Sequence, residues 1–332
     1  MGFVQQFKSD LFSTVNSDFQ EKSLSLFRFQ FENNRIYRNY VQALNVNPDT
    51  VKLIEQIPFL PISFFKNFKV TSSITEPIDF FESSGTTGII RSRLYYSDKE
   101  FYLENSKSIF ESLFGSISEY SFFFLLPNYL ERTNSSLVAM ANHFYSLSDK
   151  KFGGFYLHDL KGLNNDLSSV LNKKPEKIIL WGVTFALLDF ANTYNIHLPG
   201  IKIFETGGMK GRGKEPLRSE VHKIIAEKFQ TENIYSEYGM TELFSQAYTT
   251  SGSEIFRSQN QMKILIRELE DPISVHSRKG ERGGVNVIDL ANVDSCAFIE
   301  TQDLGVLTDD GFQILGRFDN SEVRGCNLLV LS

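Results

Sequence analysis

Residues 83 to 88 read Ser83-Ser84-Gly85-Thr86-Thr87-Gly88, four hydroxyls and two glycines in succession, directly behind Phe80-Phe81-Glu82. Glycine reaches positive φ and lets the backbone approach a ligand, while successive N–H groups and hydroxyls donate to anionic oxygens. This composition therefore suits a loop that grips phosphate. An ordinary Ser/Thr/Gly surface loop has the same composition, so the hexapeptide alone does not separate the two readings. Four further segments carry polar groups in tight spacing: Glu205-Thr206-Gly207-Gly208, Tyr238-Gly239-Met240-Thr241-Glu242, Thr301-Gln302-Asp303, and the run from Gly316-Arg317 to Gly325. Two near misses carry nothing. Gly208 to Lys214 opens like a Walker A loop but continues to Glu215, an acid where a magnesium-binding hydroxyl belongs, and Ser63 to Lys66 matches Ser-x-x-Lys with no second motif.

Elements that could position these segments follow from the apolar spacing. The first 75 residues read mainly helical, with Ile36, Tyr37, Tyr40, Val41 and Leu44 on one face, until Pro48, Pro58 and Pro61 break the pattern. From about Phe80 to residue 260, short apolar runs alternate with amphipathic stretches, the pattern of a sheet wrapped by crossover helices. Phe122 to Leu126 is followed by a helix from about Ser135 to Tyr145, and Ile178 to Trp181 by a helix through Phe190. Ile201 to Phe204 runs into Glu205-Thr206-Gly207-Gly208. Pro216 then opens a helix with Leu217, Val221, Ile224, Ile225 and Phe229 on its buried side, and Asn233 to Tyr235 runs into the Tyr238 to Glu242 segment. In open α/β sheets ligands gather beyond the carboxyl ends of strands, where these two clusters fall. Past residue 260 the spacing shortens, predicting strands at Ile264, Val285 to Ile288, Ala297 to Glu300 and Phe312 to Leu315. The expected fold is α/β: one domain over 1–332, with a helical segment at 1–75, an α/β part at 76–260 and a β-rich part at 261–332.

Composition narrows the function. A net charge of −6, with Lys and Arg scattered singly, leaves no electrostatic footprint for nucleic acid. The N-terminus has no signal-peptide pattern, and the apolar run from Ile178 to Leu188 is too short to span a bilayer, so a cytoplasmic protein is expected. Two cysteines, Cys296 and Cys326, sit in no disulfide framework or zinc spacing. Core packing explains the 31 phenylalanines.

Taken in order, the five segments resemble the adenylate-forming superfamily, which joins carboxylates to AMP and passes the acyl group to a thiol. The resemblance spans about residues 80 to 326. It implies the large-domain fold of those enzymes, with ATP and Mg2+ as cofactors. Ser83, Ser84, Gly85, Thr86, Thr87 and Gly88 would hold the β- and γ-phosphates, Gly207 and Gly208 would flank the adenine, and Tyr238 and Gly239 would also bind the nucleotide. Thr241 would contact the α-phosphate, Glu242 the magnesium, Asp303 the ribose hydroxyls, and Arg317 the ribose or the hinge. Such types suit the chemistry, because a carboxylate attacking phosphorus accumulates negative charge that hydroxyl donors and a divalent cation stabilise. Where the superfamily's glycine loop continues to a lysine, this chain offers Arg91 and Arg93.

The superfamily's mobile C-terminal domain, with its catalytic lysine, is not seen after Gly325. One branch resembles this chain in that respect: the LuxE acyl-protein synthetases of bacterial luminescence operons. FFESSGTTG, LLPNYLERTNSSL, ETGGMKG, YGMTELFSQAY and GRFDNSEVRGCNLLV are all similar to that branch, although Met209 stands where the family tends to carry Trp. The resemblance implies that a fatty acid is activated and transferred to Cys326, with Lys210 in place of the absent lysine. The acyl group would then pass to a partner, a reductase or carrier protein. Loading of coenzyme A or a carrier's phosphopantetheine is the alternative destination, and a non-catalytic nucleotide-binding subunit the alternative class.

Overall fold

The computed structural model describes residues 2–12, 18–72, 79–84, 90–127, 134–207, 217–271 and 273–318. Three helices open it, α1 (Phe3–Leu11), α2 (Phe19–Asn33) and α3 (Arg35–Ala43). The last two start at side-chain caps: Asp18 accepts from the Gln20 N–H at 2.9 Å and Asn34 from the Tyr37 N–H at 3.0 Å. A two-residue strand β1 (Leu60–Pro61) and the single-turn α4 (Phe64–Asn67) follow the prolines. Strands β2 (Asp79–Glu82) and β3 (Arg93–Tyr96) pair antiparallel as a hairpin outside the main sheet, and their connection begins with Ser83-Ser84.

Helix α5 (Lys99–Phe114) leads into a parallel α/β unit: β4 (Ser121–Leu125), α6 (Ser136–Leu147), β5 (Gly154–Phe155), α7 (Leu160–Val170), β6 (Ile178–Val183), α8 (Thr184–Thr193), β7 (Lys202–Thr206), α9 (Arg218–Phe229) and β8 (Ile234–Tyr238). Its strand order is β5-β4-β6-β7-β8. Because the strands are covered on both faces, β4 and β6 are buried at every position, as continuous apolar runs require. Registered neighbours Trp181, Phe204 and Tyr235 stack across β6, β7 and β8, with ring centroids 4.8 Å and 4.9 Å apart. Such cross-strand aromatic pairs add about 0.5–1.5 kcal/mol each beyond area burial. Much of the phenylalanine content is thereby spent in the core.

From β8 the same sheet continues antiparallel through β9 (Ala247–Thr249), β10 (Phe256–Ser258), β11 (Met262–Arg267), β12 (Val275–His276), β13 (Arg282–Asp289), β14 (Phe298–Leu307) and β15 (Phe312–Arg317). The order beyond β8 is β9-β10-β15-β14-β13-β11-β12, and β1 lies parallel to β14. The buried turn between β13 and β14 is tied to the N-terminal helices by polar side chains. Gln30 donates to the Asn292 carbonyl at 2.9 Å and accepts from the Ala297 N–H at 2.9 Å, and the Lys8 ammonium meets Asp294 at 3.0 Å. A buried turn must satisfy its backbone groups, and here the helices supply the partners.

Two sequence expectations change. Helix α9 begins at Arg218 and buries Val221, Ile225 and Phe229 at steps of four, so Ile224 falls on the rim and Leu217, the N-cap residue, is exposed. The strand expected at 297–300 runs on to Leu307, which places Thr301-Gln302-Asp303 inside a strand and not beyond its end.

Candidate active site

Strand β8 ends in Glu237-Tyr238, and the turn after it carries Gly239 to Glu242. The Tyr238 hydroxyl donates to Asp303 Oδ2 at 2.8 Å, and Arg317 Nε donates to Asp303 Oδ1 at 3.0 Å. Asp303 and Arg317 face each other as a registered β14–β15 pair, which fixes the contact. Asp303 is buried while Arg317 projects toward solvent. Three residues separated by up to 79 positions in sequence thus meet at one point, Tyr238 as lid and Arg317 as rim.

Glu242 is buried beside them. Burial raises its carboxyl above the usual value, while the Ser92 hydroxyl, its own N–H, and the cations Arg317 and Lys66 act in the opposite direction. Its backbone is held from behind, with Asn292 Nδ2 donating to the Glu242 carbonyl at 2.9 Å. Ser92 belongs to the hairpin: its N–H donates to Ser83 Oγ at 3.0 Å, and the Ser83 N–H donates to the Ser92 carbonyl at 3.0 Å. Phe81 and Tyr96 of the hairpin also pack against Phe244, with centroids 6.4 Å and 6.3 Å away. Ser83, at the start of the hydroxyl-rich segment, and Glu242 are therefore joined through Ser92.

Asp289 forms the floor. It accepts from the Phe244 N–H at 2.7 Å, the Ser245 N–H at 3.0 Å, Ser245 Oγ at 2.7 Å and the Ala291 N–H at 3.1 Å. This clamp orders the turn that carries Glu242. Beneath the ends of β7 and β8 lies a second polar cluster. Thr184 Oγ1 donates to Glu205 Oε1 at 2.5 Å, Ser236 Oγ to Glu205 Oε2 at 2.8 Å, and Thr206 Oγ1 to Glu237. Burial pushes the Glu237 carboxyl up to about 7, with the Thr206 hydroxyl opposing and Glu205 reinforcing the rise. A Cβ at Gly239 would lie 2.4 Å from Glu237 Oε1, so a larger residue there would have to displace that carboxylate.

Of the sequence candidates, Ser83, Tyr238, Thr241, Glu242, Asp303 and Arg317 fall on this region, with Ser83 and Thr241 half-buried. Ser84 and Gly239 are exposed, and Gly207 takes φ +80° at the end of β7. Gly85, Thr86, Thr87, Gly88, Gly208, Lys210 and Cys326 lie outside the described residues. The two arginines expected to meet phosphate charge are engaged with a carboxylate, Arg91 Nη1 and Arg93 Nε donating to Glu82 at 2.8 Å and 2.9 Å. Sequence reasoning missed Ser92 and Glu237, which carry no motif of their own. It dismissed Lys66 with the Ser-x-x-Lys match, although Lys66 is close enough to act on Glu242.

Residues 12–98, which hold the N-terminal helices and the hairpin, match the family model for acyl-protein synthetase, LuxE. Over those residues the chain is similar to LuxE. Over 91% of its length and 85% of the relative's, the chain is 24% identical to the long-chain-fatty-acid–luciferin-component ligase of Aliivibrio fischeri. Its fold is similar to that of 2-hydroxyisobutyryl-CoA ligase solved with 2-HIB-AMP and CoA, with TM-score 0.67 at 13% identity, covering 91% of this chain and 69% of that one. ATP-bound MatB from Rhodopseudomonas palustris matches with TM-score 0.54 at 14% identity, over 74% of this chain and 49% of its own. The chain shares the mixed α/β fold of these ligases. No described helix is long and apolar enough to cross a membrane.

Proposed function

We propose that this chain is an ATP-dependent ligase that converts a fatty acid to acyl-AMP and then transfers the acyl group to a protein thiol, that of Cys326. The convergence of Ser83, Ser92 and Glu242 in one cleft, with Tyr238, Asp303 and Arg317 at its edge, carries the reading. The relative from Aliivibrio fischeri, a ligase named for long-chain fatty acids, supports the choice of acid.

In the first half-reaction a carboxylate oxygen forms a bond to the α-phosphorus, the bond to the bridging oxygen breaks, and pyrophosphate departs with the electron pair. Thr241 and the Ser83 to Gly88 segment would donate to the phosphates, and Asp303 would accept from the ribose hydroxyls. The donor set fits magnesium: Glu242 offers one buried carboxylate, and this ion commonly takes one carboxylate plus substrate phosphates. When bound it would neutralise charge developing on the phosphoryl oxygens. Glu242 would hold it, and burial gives that carboxyl reason to welcome a cation.

In the second half-reaction a thiolate attacks the acyl carbon and AMP leaves. Cys296 is unsuited, since it is fully buried and burial pushes its thiol up to about 12. Cys326 is the other cysteine. Lys210 would supply a cation near the reacting carboxylate, and a reductase or carrier protein would take the thioester onward in the cytoplasm. With a radiolabelled fatty acid and ATP, Cys326→Ser is expected to retain ATP–pyrophosphate exchange and to lose the labelled, hydroxylamine-sensitive protein adduct. Persistence of the adduct, or transfer to coenzyme A at undiminished rate, would assign the acyl acceptor elsewhere.

A further inference from the structure

The turn between β13 and β14, residues 290–297, reaches both sides of the candidate active site. On one side Asn292 Nδ2 donates to the Glu242 carbonyl at 2.9 Å, while Asp289 accepts from the N–H groups of Phe244 and Ser245 just beyond it. On the other side Asp294 Oδ2 accepts from the Ser97 N–H at 2.9 Å and from Ser97 Oγ at 2.6 Å. Ser97 directly follows β3, in the hairpin that carries Ser92. Asn292 and Asp294 stand two positions apart, so one short buried segment sets the separation between Glu242 and the hairpin.

The N-terminal helices brace this segment from behind. Gln30 donates to the Asn292 and Val293 carbonyls at 2.9 Å and 3.2 Å, Asn34 Nδ2 to the Ser295 carbonyl at 3.1 Å, and the Lys8 ammonium meets Asp294 Oδ2 at 3.0 Å. The Ser72 N–H donates to the Asp294 carbonyl at 2.8 Å. Sliding the turn would break several buried hydrogen bonds together, so its two arms are held in place. Asn292 Oδ1 and Asp294 Oδ1 are buried with no hydrogen-bond partner among the described residues, whereas Asn292 Nδ2 and Asp294 Oδ2 are engaged with Glu242 and Ser97. An unmet buried acceptor lowers stability, so a turn shaped for stability alone would not carry two of them. Their presence is explained if the opposite atom of each side chain is needed where it is.

We propose that Asn292 is a positioning residue for Glu242 and Asp294 one for the hairpin, and that the turn fixes the gap in which a nucleotide-bound cation is held. Neither side chain would touch the ligand; each acts through the group it holds. The identity of the ligand rests on the ligase reading, whereas the bracing of the two arms does not. Loss of the Asn292 arm frees the Glu242 carbonyl and lets its carboxylate drift. Removing a partner that orients a metal ligand lowers metal affinity by roughly 10- to 100-fold.

Titration of Mn2+ into the chain saturated with α,β-methylene-ATP, read by paramagnetic resonance, separates positioning from folding. Asn292→Leu is expected to keep one Mn2+ site per folded molecule but to weaken it about tenfold or more, and Ser97→Ala, which trims the second arm, about threefold. Leu163→Ala, at a buried position of α7, serves as control: it should lower the unfolding temperature and leave Mn2+ affinity within about twofold. Should Asn292→Leu not fold, Asn292→Ser and Ser97→Ala carry the test at about threefold each. Affinity within about twofold of the parent in the folded arm variants, or equal weakening in the control, would overturn the proposal. If the parent binds no Mn2+ with the analogue, the ligase reading fails, and amide hydrogen exchange decides the positioning role on its own. Residues 240–245 are then expected to exchange faster in the Asn292 variant than in Leu163→Ala, and equal exchange would overturn the role.

Discussion

The ends of the parallel strands and the antiparallel strands of the β-rich half both bury acids, and they surround them differently. Below β7 and β8, among the described residues, the hydroxyls of Thr184, Ser236 and Thr206 donate to Glu205 and Glu237, and Arg218 Nε stands 3.9 Å from Glu205. In the β-rich half Asp289 is clamped by four donors and Asp303 is paired with Arg317 at 3.0 Å. Sparse donors leave burial in control, so the Glu237 carboxyl rises to about 7. Glu237 at the strand end thus meets burial with few donors, whereas burial also raises the Asp289 carboxyl but is opposed there by four donors. Glu242 stands at the junction, buried like the first group and facing cations like the second.

Removing an acceptor from the clamp should have the largest effect on the fold. Asp289→Asn replaces one oxygen by an NH2 group aimed at N–H donors, and we expect a loss of about 3 kcal/mol in unfolding free energy, measured by urea denaturation. A loss under about 0.5 kcal/mol would mean that the turn orders itself without the clamp. The effect at the strand ends should depend on pH. Glu237 has a folded value raised above that of the unfolded chain, so its favourable contribution is complete at pH below the unfolded value and is lost as pH rises through about 7. Between about pH 5.5 and 8 this costs roughly 2 kcal/mol, which Glu237→Gln should abolish because the amide oxygen still accepts from Thr206. Equal pH profiles for the variant and the parent would put the titrating group elsewhere. Smallest is the change at the rim: Asp303→Asn should raise the KM for ATP in the exchange reaction about tenfold, roughly 1.4 kcal/mol, with kcat nearly unchanged. A kcat loss of the same size would give Asp303 a role in the chemical step.

What the sequence made legible follows the same division. The parallel strands were readable because continuous apolar runs such as Phe122 to Leu126 have few other uses, and Glu205-Thr206-Gly207 falls at a strand end as expected. Tyr238, Asp303 and Arg317 were legible as motif residues, but their meeting depends on the β14–β15 register, which no local pattern states. Thr301-Gln302-Asp303 follows the apolar stretch Ala297 to Glu300 that marked the strand, and its polar groups are satisfied inside the longer strand, where Thr301 Oγ1 donates to the Val285 carbonyl at 2.7 Å. Ser92 and Lys66 were illegible as site residues for another reason. Each acts through a long-range approach to Glu242, and neither a serine between arginines nor a lysine on a four-residue helix announces such a contact.

The claim at the centre is that Glu242, set against Ser92, holds the divalent cation of a bound nucleotide. Electron paramagnetic resonance of Mn2+ added with α,β-methylene-ATP reads this directly, with the parent chain expected to immobilise one Mn2+ per molecule and Glu242→Gln to immobilise none while unfolding at the same temperature. Undiminished Mn2+ immobilisation in that variant would contradict the account.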